Sequence, residues 1–200
     1  MNKIVIITGM YGANRADVVD ELRNNQFDND KWEHIHMTAY RFAKYANPET
    51  PAEIMEKELC QIPDSNLEKA VTEWNEFVSS LKRRLKNANL ILTGIGDRKE
   101  IEIITQETGV KPIICAITVD SQIRLNRLSS GEWYDRVSNL TGQQKDCYTK
   151  EAIDEMDAIV RTHSDKEYFI CTADYYISDK DNPVALVKQT QAFKQWVQSL

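Results

Sequence analysis

The chain has 200 residues, 42% of them hydrophobic and 28% charged, with a formal net charge of −6 at pH 7. That suits a single α/β domain spanning residues 1–200 with a sizeable core. It leaves no global basic footprint for nucleic acid or an anionic membrane; no run approaches transmembrane length and no signal peptide precedes Gly9, so a cytoplasmic protein is expected.

Lys3–Thr8, with Ile4, Val5, Ile6 and Ile7 in succession, predicts a strand buried on both faces. Gly9-Met10-Tyr11-Gly12-Ala13-Asn14-Arg15-Ala16-Asp17 follows, and a helix is expected from about Asn14 to Asn25 with Val18, Val19 and Leu22 on its apolar side. A strand, a glycine loop and a helix start in that order form a potential phosphate site, because free backbone N–H groups and the helix dipole point into the loop. The phosphate-loop consensus is Gly, four residues, then Gly-Lys-Ser/Thr. Laid on Gly9, it puts Asn14 at the second glycine, Arg15 at the lysine and Ala16 at the hydroxyl. Gly12 adds freedom inside the loop. Arg15 can bind phosphate as a planar fork, whereas Ala16 has no oxygen for magnesium. From these residues alone, an ordinary βα turn and a nucleotide cradle both stay open.

A second strand is expected at Glu33–Thr38, with His34 and His36 on one face. They could form a metal pair, but no acidic or cysteine partner is obvious nearby, which favours structural or surface histidines. Ala39–Ala46 reads as a short helix carrying Tyr40, Arg41, Phe42, Lys44 and Tyr45, and Pro51 opens another through about Cys60. Asp64-Ser65 caps a long helix over about Asn66–Asn87, striped by Leu67, Val71, Trp74, Phe77 or Val78, Leu81 and Leu85, with Lys82, Arg83, Arg84 and Lys86 as a solvated end. Further strands are expected at Leu90–Thr93, Pro112–Val119 and Asp174–Ser178. Helices are expected at Arg98–Glu107, stopped by Gly109, and at Asp120–Ser130, Lys150–Arg161 and from Pro183 onward. Gly131–Thr149 reads as a polar surface loop. The four cysteines, Cys60, Cys115, Cys147 and Cys171, are far apart and form neither a zinc motif nor a disulfide framework.

Strands alternating with helices predict a three-layer α/β/α architecture, a doubly wound, five-stranded parallel sheet in the order 2-3-1-4-5. Ligands of such sheets lie beyond the carboxyl ends of the strands. Here those ends are Gly9–Ala16, Thr38–Arg41, Gly94–Asp97 and Asp120–Arg127.

The pieces KIVIITGMYGANRAD, HIHMTAYRFAKYA, NLILTGIGDRKEIEII, ICAITVDSQIRLNRL and DYYIS, in this order, resemble the phosphate-loop nucleoside monophosphate kinases. The nearest pattern is the phage-type deoxynucleoside monophosphate kinases, and dephospho-CoA and phosphomevalonate kinases look similar. The resemblance implies a P-loop kinase-like fold with a helical, monophosphate-site-like region over about 39–87 and a lid-like segment over about 128–149. It implies ATP as the ligand of Gly9, Gly12, Ala13, Asn14, Arg15 and Ala16, with Arg41 toward a monophosphate and Arg124, Arg127 and Arg136 as lid cations. The family's third strand ends in an aspartate and, two residues later, an arginine, with a glutamate on the next helix. These fall at Gly94, Gly96 and Glu100, so only the glutamate remains. Arg15, Asp97 and Arg127 are the groups left that could carry catalysis, Asp97 only if the loop is rebuilt.

Phosphoryl transfer rests on positioning and on charge stabilisation by lysine and by magnesium held by hydroxyl and carboxylate. All three are altered here. The expected function is therefore a degenerate, non-catalytic kinase-like protein acting by weak nucleotide binding or through a protein partner or homodimer, without a resident metal. The alternatives are an active (deoxy)nucleoside monophosphate kinase in which Arg15 holds phosphate and Asp97 holds magnesium, and an assembly protein with no ligand.

Overall fold

A computed structural model describes residues 2–24, 31–37, 64–130 and 149–200. In chain order the elements are β1 (Ile4–Gly9), α1 (Arg15–Arg23), β2 (Trp32–His36), α2 (Asp64–Asn87), β3 (Asn89–Thr93), α3 (Arg98–Thr108), β4 (Ile113–Val119), α4 (Ser121–Ser130), α5 (Lys150–His163), α6 (Lys166–Cys171), β5 (Tyr175–Asp179) and α7 (Pro183–Ser199). The five strands form one parallel sheet in the order β2-β3-β1-β4-β5, flanked by helices, as the alternation of elements predicts. Every residue of β1 and β3 is buried, which is why these two strands read as unbroken apolar runs.

Residue proximity divides the chain into two compact units, Met1–Val5 with Asp30–Pro112, and Ile6–Asn29 with Ile113–Leu200. In the first, β2 runs parallel to β3 from Trp32 opposite Asn89 to His36 opposite Thr93. The start of β1 is fixed to β3 twice: Lys3 N–H donates to Asn89 Oδ1 at 2.8 Å, and Leu90 N–H donates to the Lys3 carbonyl at 2.9 Å. α2 buries Leu67, Phe77 and Leu81 and packs on α3 and β3. Lys82, Arg83 and Lys86 are exposed as expected, but Arg84 turns back to pair with Glu33 of β2.

In the second unit, β4 runs parallel to β5 from Cys115 opposite Tyr175 to Val119 opposite Asp179. α7 packs on α1 and β5 through Tyr175, Phe193 and Trp196, whose rings lie 4.9 to 6.1 Å apart. Gln189 of α7 closes the peptide of Ser178: Ser178 N–H donates to Oε1 at 2.9 Å, and Nε2 donates to the Ser178 carbonyl at 2.8 Å. This occupies part of the sheet edge that β5 would otherwise offer to another strand. Lys194 Nζ reaches the Asn24 carbonyl at the end of α1. The Cys115 thiol is buried, which raises its pKa; Cys171 is exposed.

The differences from expectation are local. β5 starts at Tyr175 because Asp174 stitches the strand entry to Ile114, accepting its N–H at 2.8 Å and donating to its carbonyl at 2.9 Å. β2 covers Trp32–His36 instead of Glu33–Thr38. α6 was not expected, being too short for a helical period to register. The helices predicted over Ala39–Ala46 and Pro51–Cys60, Arg41, Arg136, and nearly all of the lid-like segment lie outside the described residues. No helix among the described residues is long and apolar enough to cross a membrane.

Two glycines have different structural demands. Gly109 ends α3 in the left-handed region at φ 70° with open space around it, whereas a Cβ on Gly9 would stand 2.8 Å from the Ile117 carbonyl oxygen. Gly109→Ala is expected to lower the unfolding free energy by about 1 kcal/mol, and Gly9→Ala by more. Urea unfolding of both variants checks the order.

Candidate functional site

The loop Gly9–Arg15 lies entirely within the second unit and is built as a tight turn. Gly9 has φ 155° and Gly12 φ 81°. Ala13 N–H donates to the Met10 carbonyl at 3.2 Å, and Arg15 N–H to the Ala13 carbonyl at 2.8 Å. Asn14 is the N-cap of α1, but its side chain makes no capping bond. Its backbone N–H donates instead to Asp179 Oδ2 at the end of β5, at 3.1 Å. A carboxylate of the protein's own therefore sits against the loop at the positive end of α1, where charge and donors favour an anion.

α4 holds that carboxylate. Arg127 bonds Asp179 with two prongs, Nη1 to Oδ2 at 2.6 Å and Nη2 to Oδ1 at 2.9 Å. Its Nη1 also donates to the Gly12 carbonyl at 2.9 Å, and its Nε and Nη2 donate to Asp181 at 3.2 and 2.6 Å. Five bonds match the five N–H donors of a guanidinium. One turn earlier, Arg124 donates from Nε to the Tyr11 carbonyl at 2.7 Å and forks onto Asp157 of α5 at 2.9 and 2.7 Å. The side chains of Arg124, Asp157, Arg127 and Asp179 are all nearly buried.

The titration of the central pair follows from this geometry. Burial by itself would raise the Asp179 carboxyl. The hydrogen bonds from Arg127 and Asn14, with the Arg127 charge, outweigh it and place its pKa below the ordinary carboxylate value of 3.8. Arg127 is held more firmly protonated, chiefly by its bond to Asp179.

Arg15 is placed differently. It is partly buried, and its guanidinium has neither a hydrogen bond nor a carboxylate partner among the described residues. Burial lowers its pKa, and Tyr11 in the loop offsets this electrostatically. Lys166 of α6 lies over the Tyr11 ring, its Nζ 4.7 Å from the centroid. Ala16 is exposed.

The remaining candidates belong to the first unit. Asp97 is the N-cap of α3: its carboxylate accepts Lys99 N–H at 2.9 Å, while Glu100 accepts the N–H groups of Gly96 and Asp97 at 2.9 and 3.1 Å. This capping box gives both acids a local backbone task. His34 Nε2 and His36 Nδ1 each lie 2.8 Å from Thr93 Oγ1, the structural arrangement the sequence favoured. Among the described residues, no group of three or more His, Cys, Asp or Glu side chains could hold a metal ion.

The structure thus brings Gly9, Gly12, Ala13, Asn14, Arg15, Arg124 and Arg127 together around one loop. It engages both α4 arginines with carboxylates and loop carbonyls. The sequence reading missed Asp157, Asp179, Asp181, Tyr11 and Lys166. A signal for Asp179 was present: two acids spaced by one residue at the carboxyl end of a parallel strand, where ligands of such sheets bind.

No family model and no curated protein matches the sequence. Solved structures do share the fold. A shikimate kinase from Bacteroides thetaiotaomicron matches at 12% identity over 98% of each chain, with a TM-score of 0.51. A putative kinase from Chloroflexus aurantiacus matches at 10% identity over 99% of this chain and 94% of its own, with a TM-score of 0.51. An uncharacterized protein from Eubacterium ventriosum matches at 15% identity over 100% of both, also at 0.51. At these identities the likeness shows that the fold is that of P-loop-type kinases.

Removing Arg127 would strand Asp179 as an uncompensated buried charge. Arg127→Met is expected to cost about 3–5 kcal/mol in urea unfolding, and Asp179→Asn in the same chain to restore much of it. Because the folded Asp179 pKa is depressed, its stabilisation is complete above the unfolded carboxylate pKa and is lost as pH falls through the lower, folded value. Between about pH 6 and pH 3, the wild-type urea midpoint should therefore fall more steeply than that of Asp179→Asn.

Proposed function

We propose that this protein is a kinase-fold protein without phosphoryl-transfer activity, a degenerate counterpart of the (deoxy)nucleoside monophosphate kinases, which binds a phosphorylated ligand such as ATP weakly at Gly9–Arg15. The observation that carries the reading is the bond from Asn14 N–H to Asp179, whose carboxylate Arg127 grips with two prongs. A phosphate entering the loop meets an internal anion that already accepts one of its amides. The two α4 cations that could offset that repulsion are themselves neutralised by carboxylates. Arg15 is the cation that supports ligand binding.

Among the described residues, those at the positions considered for magnesium suit it poorly. Ala16 offers no oxygen in the loop, and Gly94 stands where the resemblance expects aspartate. Asp97, which an active enzyme would need as the metal carboxylate, is occupied in capping α3.

Two measurements test the proposal. In calorimetric titration, ATP should bind weakly, with an affinity nearly the same in magnesium and in chelator; a gain of about 100-fold, ~2.7 kcal/mol, on adding magnesium would overturn the reading. In a coupled ADP-release assay across the common ribo- and deoxyribonucleoside monophosphates, no robust turnover is expected, and Arg15→Lys alone should not restore it. Turnover of about 1–10³ per second by the unmodified protein, abolished in Arg15→Ala, would establish an active enzyme.

A further inference from the structure

We propose that Arg124, anchored by Asp157, is a positioning residue of the loop: it holds the Tyr11 carbonyl so that the Gly12 N–H stays turned away from α4, as the amide that receives an anion. The inference rests on the reading of Gly9–Arg15 as a phosphate site. It gives the Arg124–Asp157 pair a role that acts through the backbone of the loop and needs no contact with the ligand.

Across a trans peptide the C=O of one residue and the N–H of the next point in opposite directions. Arg124 Nε donates to the Tyr11 carbonyl at 2.7 Å, so the Gly12 N–H is turned away from α4. Arg127 Nη1 donates to the Gly12 carbonyl at 2.9 Å, which turns the Ala13 N–H away likewise. The four amides from Gly12 to Arg15 then have different fates. Ala13 donates to the Met10 carbonyl, Asn14 to Asp179, and Arg15 to the Ala13 carbonyl. The Gly12 N–H has no hydrogen-bond partner among the described residues. Gly12 is buried, and a buried donor without an acceptor is a costly exception in a folded protein. An oxygen of a bound anion removes that cost.

Asp157 fixes the arginine that fixes the carbonyl. It accepts the Arg124 fork at 2.9 and 2.7 Å and leaves Nε directed at the loop. Gly12 lies against the stem of the same side chain: a Cβ added there would stand 3.4 Å from Arg124 Cα and 3.5 Å from its Cβ and Cγ. The loop peptide and the arginine are therefore packed as one piece. Because Asp157 neutralises the guanidinium, the pair adds little field of its own at the loop. Its effect on a ligand runs through the direction of the Gly12 N–H.

Inorganic pyrophosphate is the probe, titrated into the whole chain by calorimetry and by amide NMR. In the unmodified protein the Gly12 amide resonance should shift downfield, with the midpoint that calorimetry gives. Asp157→Asn removes a negative charge near the loop, so a purely electrostatic role predicts tighter binding. Positioning predicts the opposite: pyrophosphate should bind about fivefold more weakly, and the Gly12 shift should shrink. Arg124→Lys keeps the charge but loses the fork, and should weaken binding similarly, with the temperature held well below each variant's thermal midpoint. Tighter or unchanged binding in Asp157→Asn would overturn the positioning role. So would pyrophosphate binding that leaves the Gly12 amide of the unmodified protein unmoved, a result that needs no substitution and leaves the loop reading standing. If the unmodified protein does not bind pyrophosphate, the loop reading itself falls, and the role of Arg124 with it.

Discussion

The two-pronged contact between Arg127 and Asp179 is the constraint on which the loop depends. It joins α4 to the end of β5, and the same two side chains reach the loop from both: Arg127 takes the Gly12 carbonyl and Asp179 takes the Asn14 N–H. A buried ion pair adds little net stability over an apolar pair of the same volume, because desolving two charges offsets most of their attraction. What such a pair does is penalise every arrangement that leaves one partner alone. The loop is therefore fixed by the high cost of its alternatives. Asp181, two-thirds exposed, completes the arginine's donors from the solvent side.

That constraint has a functional consequence. In folds of this kind the start of the first helix attracts anions because several amides and the dipole point the same way. Here the protein supplies an anion from its own last strand. The same chemistry that would recruit phosphate has been turned inward to hold a strand end, a loop and a helix together. The Arg15 guanidinium, with no carboxylate partner among the described residues, stands outside that pairing. An anion entering this loop would share the helix start with Asp179.

Much of the fold was legible in the sequence. Buried strands reveal themselves as apolar runs, and Ile4–Ile7 and Leu90–Leu92 are such runs. The stop of α3 at Gly109 and the start of α7 at Pro183 were readable because a left-handed residue and a fixed φ have few substitutes. Strand ends were less legible: Asp174 and Asp179 look alike in sequence, yet one stitches the entry to β5 and the other anchors the loop from its exit. The site was legible only in outline. The glycines and Arg15 could be found by spacing, but a sequence cannot say whether Arg124 and Arg127 face a ligand or an internal carboxylate more than thirty residues away.

The sequence by itself determined the strand order and the altered loop chemistry. Periodicity, short crossovers and handedness leave few ways to arrange five buried strands, and Ala16 lacks a hydroxyl in any fold. The tertiary structure alone decided what each charge does. It paired Arg127 with Asp179 and Arg124 with Asp157, put Asp97 to work as a helix cap, and left Arg15 without a carboxylate partner among the described residues. The reason is that a charged side chain's role is set by which opposite charge burial brings within about 3 Å of it, and that neighbour is chosen by the folding of distant segments, not by the local order of residues.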